Sequence, residues 1–119
     1  MKIALVDDEE YFSILVQERL GGQVVAFSEV SQFKDDGYDA VLCDLSLRET
    51  FGVDTVKAIL AKTKSPVIIL TGIAGEKLEG TTSTAIIDMG VKEVFFKELV
   101  NDPEFPGKVL EIIANAKMD

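Results

Sequence analysis

Residues 39–45 read DAVLCDL, and this stretch decides the fold class. Four apolar residues without a polar break, Ala40–Cys43, run directly into Asp44. A continuous apolar run indicates a strand buried on both faces, because a strand with one wet face alternates apolar and polar residues. Such strands are typical of parallel sheets covered by helices, so we expect an α/β protein.

Four more short apolar runs lie on either side of this stretch. They are IALV at Ile3–Val6, VVAF at Val24–Phe27, VIIL at Val67–Leu70 and VFF at Val94–Phe96. Their β-branched and aromatic residues favour strands, and most of the runs are continuous. We therefore predict five buried strands.

Segments with helical spacing follow the first, third, fourth and fifth predicted strands. Their predicted apolar faces are Tyr11, Ile14, Leu15 and Leu20; Val53, Val56, Ile59 and Leu60; Ala85, Ile86 and Met89; and Val109, Leu110, Ile112 and Ile113. Gly21-Gly22 and Gly90 end two of these helices. The stretch Val30–Phe33 is open between a short helix and an irregular crossover.

The alternation of strands and helices predicts a parallel sheet with right-handed crossovers. Five strands in about 120 residues fit the flavodoxin-like doubly wound fold, with sheet order 2-1-3-4-5. Polar, glycine-containing segments at Gly72–Thr82 and Asn101–Gly107 are predicted to be the long loops.

Length and charge exclude several classes of function. The 119 residues are expected to form one domain, residues 1–119, with a net charge of −9 from 12 Lys and Arg against 21 Asp and Glu. This acidity argues against nucleic acid and anionic membranes as partners. An N-terminus that is acidic by Asp7, with no apolar run near the roughly 20 residues of a membrane helix, predicts a cytoplasmic protein.

Two absences restrict the chemistry. The sequence has no His, which excludes His-dependent nucleophiles, HExxH zinc sites and an imidazole base. Its single cysteine, Cys43, forms neither an internal disulfide nor a cysteine cluster, and we expect it in the core. Chemistry must therefore come from carboxylates, hydroxyls, lysines and a hard metal ion.

Polar residues follow four of the five apolar runs. These are Asp7 and Asp8 after the first, Asp44 after the third, Thr71 after the fourth and Lys97 after the fifth. Because ligands of such sheets bind outside the carboxyl ends of the strands, where strand order reverses, we expect these side chains to lie together. Together they predict a binding site at that edge.

Three carboxylates in one pocket raise one another's pKa unless a cation holds them ionised. The candidates are Lys97 and Mg²⁺, which binds one or two carboxylates together with phosphate oxygens. Such a site accepts a phosphoryl group: an Asp carboxylate attacks phosphorus, the cations neutralise the transferring oxygens and Thr71 donates a hydrogen bond.

This constellation resembles the site of response-regulator receiver domains, the CheY-like domains of two-component signalling. The resemblance is carried by Asp7-Asp8, Asp44 in DAVLCDL, Thr71 in PVIILTG and Lys97 in VFFKE, in the same order along the chain. It implies that Asp44 is the phosphoryl acceptor. It also implies that Asp8, Asp44 and the Ser46 carbonyl bind Mg²⁺ directly, and that Asp7 helps through water. Thr71 would contact the phosphoryl oxygens, and Lys97 would pair with Asp44 or its phosphate.

The resemblance further implies a donor and an output. The donor would be a phosphohistidine on a sensor kinase or a histidine phosphotransfer protein. The output would be contact with an unknown downstream protein, or onward transfer, through the face made by the helix before strand 5, strand 5 and the last helix. We expect autocatalytic phosphorylation and dephosphorylation only, not a turnover enzyme, with Ser46 and Ile73 tuning the phosphoryl lifetime.

Four features depart from the receiver pattern. Arg48 and Glu98 stand where receivers usually have Pro, Val94 stands where an aromatic usually swings inward with Thr71, and the stretch from Thr71 to Lys97 is a few residues longer. A non-proline cis bond costs about 2.5–4 kcal/mol, so we expect Lys97–Glu98 to be trans or strained. These departures motivate the alternative of a pseudo-receiver, a protein-binding module that signals without phosphate.

Simpler or competing interpretations apply to several residues. Asp7 and Asp8 could cap the first helix, Glu9 could be a first-turn charge like Glu10, and Arg48 could be a solvated loop charge or contact a kinase or phosphate. A haloacid-dehalogenase-type phosphatase with Asp7 as nucleophile would carry Asp-x-Asp, where this chain has Asp-x-Glu. The acidic stretch after strand 1 would also repel the phosphate of a flavin.

Overall fold

The computed structural model of the protein describes residues 1–21, 23–72 and 81–118. Its strands are β1 Ile3–Val6, β2 Val24–Phe27, β3 Ala40–Asp44, β4 Val67–Thr71 and β5 Glu93–Phe96. Its helices in this part of the chain are α1 Glu10–Leu20, α2 Val53–Lys62, α3 Ser83–Asp88 and α4 Phe105–Lys117, with 3₁₀ turns at Val30–Gln32 and Lys97–Asn101.

The strands form one parallel sheet in the order β2-β1-β3-β4-β5, which confirms the predicted fold class. The register pairs Val6 with Cys43, Asp44 with Leu70 and Thr71 with Phe96. The carboxyl ends of β1, β3, β4 and β5 therefore lie along the same edge of the sheet.

Burial separates the central strands from the edge strands. Every residue of β1, β3 and β4 is buried, as the continuous apolar runs predict. The prediction is wrong for β2 and β5, where Val25 is 41 % exposed and Phe96 is 37 % exposed. An edge strand has a neighbour on one side only, so the covering helices leave part of it in solvent.

Two apolar layers cover the sheet. On one face, Leu5 and Leu42 pack with Phe12 of α1 and with Phe105 and Val109 of α4. The opposite layer joins the sheet residues Val6, Cys43 and Ile69 to Val56 and Ile59 of α2, Ile86 of α3 and the turn at Val30–Gln32. Cys43 is fully buried in this second layer, which confirms its prediction as a core residue.

The predicted apolar faces of the helices are right in α2 and partly wrong elsewhere. In α1, Phe12 and Val16 are buried, whereas Tyr11 and Ile14 are 79 % and 49 % exposed. Ala85 of α3 and Leu110 of α4 are also exposed. A short helix on a sheet buries one narrow stripe, so an apolar residue one position off that stripe faces solvent.

The crossover from β2 to β3 is the least regular part of the fold. One short 3₁₀ helix, Val30–Gln32, lies in an otherwise irregular crossover, so the structure combines the two alternatives left open by the sequence. Three rings replace helical packing: Phe27 lies 5.3 Å from Phe33, and Phe33 lies 5.9 Å from Tyr38, between ring centroids. These contacts anchor an otherwise extended segment to the core.

The two predicted long loops have different outcomes. Most of Gly72–Thr82 lies outside the described residues, and so does Ile73. The loop predicted at Asn101–Gly107 is shorter than expected, because a 3₁₀ turn ends at Asn101 and α4 begins at Phe105 with Pro106 in its first turn. A proline fits there because the first turn of a helix leaves its N–H groups without intrahelical partners.

The packing of α4 gives a matched test of the fold. Val109 is fully buried against the sheet, and its neighbour Leu110 is 47 % exposed. We expect Val109→Ala to lower the free energy of unfolding by about 2 kcal/mol, from two lost methyl groups and the remaining cavity. Leu110→Ala should change it by less than about 0.5 kcal/mol in the same urea titration. Equal losses would contradict this placement of α4.

Candidate functional site

The strand ends bring Asp7, Asp44 and Lys97 into direct contact. Lys97 follows β5, and its Nζ lies 3.0 Å from Oδ2 of Asp44, the last residue of β3. The same Nζ lies 2.9 Å from Oδ2 of Asp7, which follows β1. One ammonium therefore bridges two carboxylates that come from the adjacent strands β1 and β3.

The two oxygens of Asp7 have different surroundings. Oδ1 accepts a hydrogen bond of 2.8 Å from the backbone N–H of Glu9, at the start of α1. Oδ2 is buried and has no hydrogen bond among the described residues, although it is ion-paired with Lys97. The helix-capping interpretation of Asp7 is therefore wrong, because Glu9 is the N-cap residue of α1 and no side chain caps the helix there. Oδ1 of Asp7 instead closes a turn just before α1, while Oδ2 pairs with Lys97 in the site.

Burial dominates the electrostatics of the site. Removal from water, with the nearby charge of Asp7, raises the pKa of Asp44 to about 6 despite the opposing effect of Lys97. Burial likewise raises the pKa of Asp7 above its ordinary value. Burial also opposes the charge of Lys97, but Asp7 and Asp44 outweigh it and raise the pKa of the ammonium. One lysine is therefore too little positive charge for the carboxylates around it.

A divalent cation fits these residues. Carboxylate oxygens of Asp7, Asp8 and Asp44 all lie within 4.8 Å of one another. Hard cations take oxygen ligands of this type, and an added positive charge would offset the repulsion that raises the pKa of Asp44. Oδ2 of Asp7, which is buried and paired with Lys97, is a further acceptor in this cluster. The donor set suits a hard divalent cation.

The remaining predicted site residues lie at the same edge. Thr71 is the last residue of β4 and is 2 % exposed. Ser46 is exposed, and its backbone N–H donates a hydrogen bond of 3.2 Å to Oδ1 of Asp44. Asp8 is half-buried, and its Oδ2 lies 3.9 Å from Nε of Arg48. The sheet thus gathers the predicted side chains on one surface.

Two contacts of Lys97 do not appear in the sequence interpretation. Glu9, interpreted there as a first-turn charge, has Oε2 3.6 Å from Nζ of Lys97. The ring of Phe12 lies beneath the ammonium, with its centroid 4.4 Å from Nζ. The position of Glu9 directly after Asp7-Asp8 is a signal for its contact, because the start of α1 faces the site. No local pattern indicates Phe12, whose place depends on how α1 crosses the sheet.

The departures at Glu98 and Val94 are accommodated without distortion. The Lys97–Glu98 bond is trans, one of the two expected outcomes, and no cis peptide bond occurs in the described parts of the chain. Val94 is partly buried and packs against the layer that contains Cys43. Across the three ranges that the structure describes, no helix has the length and apolar character needed to span a membrane.

Comparisons with known proteins give the same fold and a family. No protein-family model matches the chain. The transcriptional regulatory protein CpxR of Escherichia coli K12 is 30 % identical over 118 residues, which cover 94 % of this chain and 49 % of CpxR. The chain thus spans about half the length of this curated relative.

The chain matches solved structures over nearly the full length of both partners in the comparison. The non-phosphorylated HemR receiver domain of Leptospira biflexa is 25 % identical, with a TM-score of 0.75 over 95 % of this chain and 94 % of that domain. A two-component response regulator of Clostridium difficile has a TM-score of 0.79 at 18 % identity, over 96 % of both chains.

Fold and site together define a parallel α/β domain with an aspartate cluster and a lysine at the carboxyl edge of its sheet. With the relatives above, they place the chain in a family. The chain belongs to the receiver domains of two-component response regulators.

Proposed function

We propose that this domain accepts a phosphoryl group on Asp44 from a phosphohistidine, in a reaction that requires Mg²⁺. The carboxylate of Asp44 forms a bond to phosphorus as the bond between phosphorus and the donor's imidazole nitrogen breaks. The single observation that carries the proposal is the contact of Asp44 with Lys97 inside the cluster of three aspartates. A cation bridge of this kind neutralises charge on a phosphoryl group attached to Asp44.

Each neighbour of Asp44 has a part in the proposal. Asp8, Asp44 and the Ser46 carbonyl would hold Mg²⁺, with Asp7 acting through water, and the ion would neutralise the transferring oxygens. Lys97 orients the Asp44 carboxylate and moves its pairing to the phosphoryl oxygens after transfer. Thr71 would donate its hydroxyl to one of those oxygens.

Partners follow from the chemistry. The proposed donor is a sensor histidine kinase or a histidine phosphotransfer protein in the cytoplasm, since the chain contains no His of its own. We assign residues 1–119 to a single receiver domain. Its output would be contact of the face formed by α3, β5 and α4 with a downstream protein, or onward transfer to a phosphotransfer protein.

Acetyl phosphate tests the proposal without a kinase. We expect the intact mass to rise by one phosphoryl group in the presence of Mg²⁺, and the added group to be lost in alkali as an acyl phosphate. Asp44→Asn should abolish the gain, whereas Asp54→Asn, at an exposed position in the first turn of α2, should leave it unchanged. Equal uptake by Asp44→Asn would contradict the assignment of the acceptor.

One observation favours a second function, a pseudo-receiver that binds its partner without phosphate. Val94 has no ring to move when Thr71 contacts a phosphoryl group, and its partly buried side chain packs against the core. NMR spectra with Mg²⁺ and beryllofluoride separate the two functions. Shifts that extend from the site to α3, β5 and α4 support a phosphate-driven switch. Unchanged spectra would support the pseudo-receiver.

A further inference from the structure

A cavity lies beside the aspartate cluster. It has a volume of about 280 Å³ and is lined by Asp8, Ser28, Glu29, Gln32, Arg48 and Glu49. We call it the Glu29 cavity. Three of its lining residues are acidic and one is basic, so it is a site for positive charge. Asp8 belongs both to this cavity and to the aspartate cluster, which makes the two sites neighbours.

Glu29 has an unsatisfied carboxylate oxygen. The residue is only 6 % exposed, and its Oε1 accepts a hydrogen bond of 3.0 Å from the backbone N–H of Glu49. Its Oε2 is buried and has no hydrogen-bond partner in the described parts of the chain. A buried polar atom without a partner is unfavourable and rare, so this oxygen is an acceptor that calls for a donor.

Neighbouring polar side chains in and around the cavity bond to one another instead. Ser31 donates from Oγ to Oε2 of Glu49 at 2.7 Å. The hydroxyl of Ser28 donates to Oε1 of Gln32 at 2.5 Å. These bonds supply no donor to Oε2 of Glu29, and the lining of the same cavity includes one basic side chain.

Arg48 is that basic side chain. It is 85 % exposed, and its Nε lies 3.9 Å from Oδ2 of Asp8. An exposed ion pair at this distance is weak, so Arg48 is easily displaced. Its guanidinium carries five N–H donors in a planar fork that matches a carboxylate, which suits it to a buried Glu better than an ammonium would be.

We propose that the Glu29 cavity is a guanidinium site for Arg48, which moves from Asp8 to Glu29 when a divalent cation binds the aspartate cluster. This inference rests on the metal site of the proposed function. The cation takes the Asp8 carboxylate and repels the guanidinium, and Glu29 offers an unsatisfied oxygen in the same cavity. Metal binding is thereby linked to the crossover between β2 and β3, which carries Glu29.

Two arginines in the whole chain make the movement visible by NMR. The side-chain Nε–H signals of Arg19 and Arg48 are assigned by comparison with Arg48→Lys. On titration of the wild-type protein with magnesium chloride, we expect the Arg48 signal to shift and become protected from exchange with solvent. The Arg19 signal, from the last turn of α1, should stay in place. This measurement needs no substitution at Glu29.

Magnesium affinities give the quantitative test. We expect Glu29→Gln to weaken Mg²⁺ binding by at least about five-fold more in the presence of Arg48 than in Arg48→Ala, the lower end of coupling between linked sites. Glu49→Gln is the matched control, because it removes a charge from the same cavity but its Oε2 already accepts from Ser31. Its effect should be equal with and without Arg48.

The outcomes separate the two proposals. If the wild-type protein shows no response to Mg²⁺, the metal site of the proposed function is wrong and this inference fails with it. If Mg²⁺ binds but the Arg48 signal stays unprotected, or Glu29→Gln acts equally in both backgrounds, only the guanidinium site is overturned. Protection of Arg48 that Glu29→Gln removes would support it.

Discussion

Asp44→Asn is expected to raise the free energy of unfolding of the metal-free protein by about 2–3 kcal/mol at pH 7.5. Asp44 is 5 % exposed, and burial with the charge of Asp7 raises its pKa to about 6. At pH 7.5 the folded protein therefore keeps a carboxylate ionised in a place that disfavours the charge. Asn has nearly the same shape without the charge, and Lys97 retains its pairing with Asp7.

The pH dependence of this stabilisation has a definite sign. Because the pKa of Asp44 is higher in the folded than in the unfolded protein, its contribution to stability is fully present below about pH 4 and is lost as pH rises through about 6. The difference between Asp44→Asn and the wild type should therefore be small at pH 4 and grow up to about pH 7.

Urea titrations in EDTA across this range measure the difference. EDTA is needed because a bound cation would stabilise the ionised carboxylate and mask the effect. Asp54→Asn removes the same charge at an exposed position of α2 and is the control for the loss of a negative charge. A constant or falling difference for Asp44→Asn would contradict a raised pKa.

The residues at the strand ends could be predicted because their positions follow from chain connectivity. A continuous apolar run fixes where a buried strand ends, and parallel strands place their carboxyl ends at one edge. These two rules are enough to predict that Asp44, Thr71 and Lys97 lie close together. Their order and identity then carry the family resemblance.

Features that depend on tertiary packing could not be predicted from local sequence patterns. The stripe of α1 that includes Phe12 is set by how the helix crosses the sheet, and Tyr11 and Ile14 are equally apolar in sequence. The crossover between β2 and β3 is held by contacts among Phe27, Phe33 and Tyr38, whose rings meet only after folding. Helical propensity alone does not weigh such contacts.

The Glu29 cavity could not be predicted from local sequence patterns either. Glu29 and Glu49 are 20 residues apart, in two different loops, and acidic loop residues are common on protein surfaces. Only the fold brings them against Asp8 and Arg48. Arg48 stands where receivers usually have Pro, and this departure is visible in the sequence. Its proposed pairing with Glu29 follows only from the fold, which buries Glu29.

Lys97→Met is expected to lower the free energy of unfolding by about 3–5 kcal/mol at pH 7.5 in EDTA, the cost of leaving a buried ion partner uncompensated. The ammonium is the shared partner of Asp7 and Asp44, at 2.9 and 3.0 Å, and its side chain is 16 % exposed. Met keeps an unbranched side chain of similar length and removes the charge. The two carboxylates would then face each other without a cation.

Protonation should relieve this loss, and that is what distinguishes it from a packing defect. At pH 4.5 Asp44 is largely neutral in the folded protein, so Lys97 has less charge to balance and its removal should cost much less. Asp44→Asn in the same chain should also reduce the cost at pH 7.5, because one carboxylate fewer is left unpaired. Lys57→Met, on the exposed side of α2, controls for the loss of a positive charge from an acidic protein. An equal cost for Lys97→Met at both pH values would show that the lysine stabilises the site by packing, and the electrostatic account of Asp44 would then be wrong.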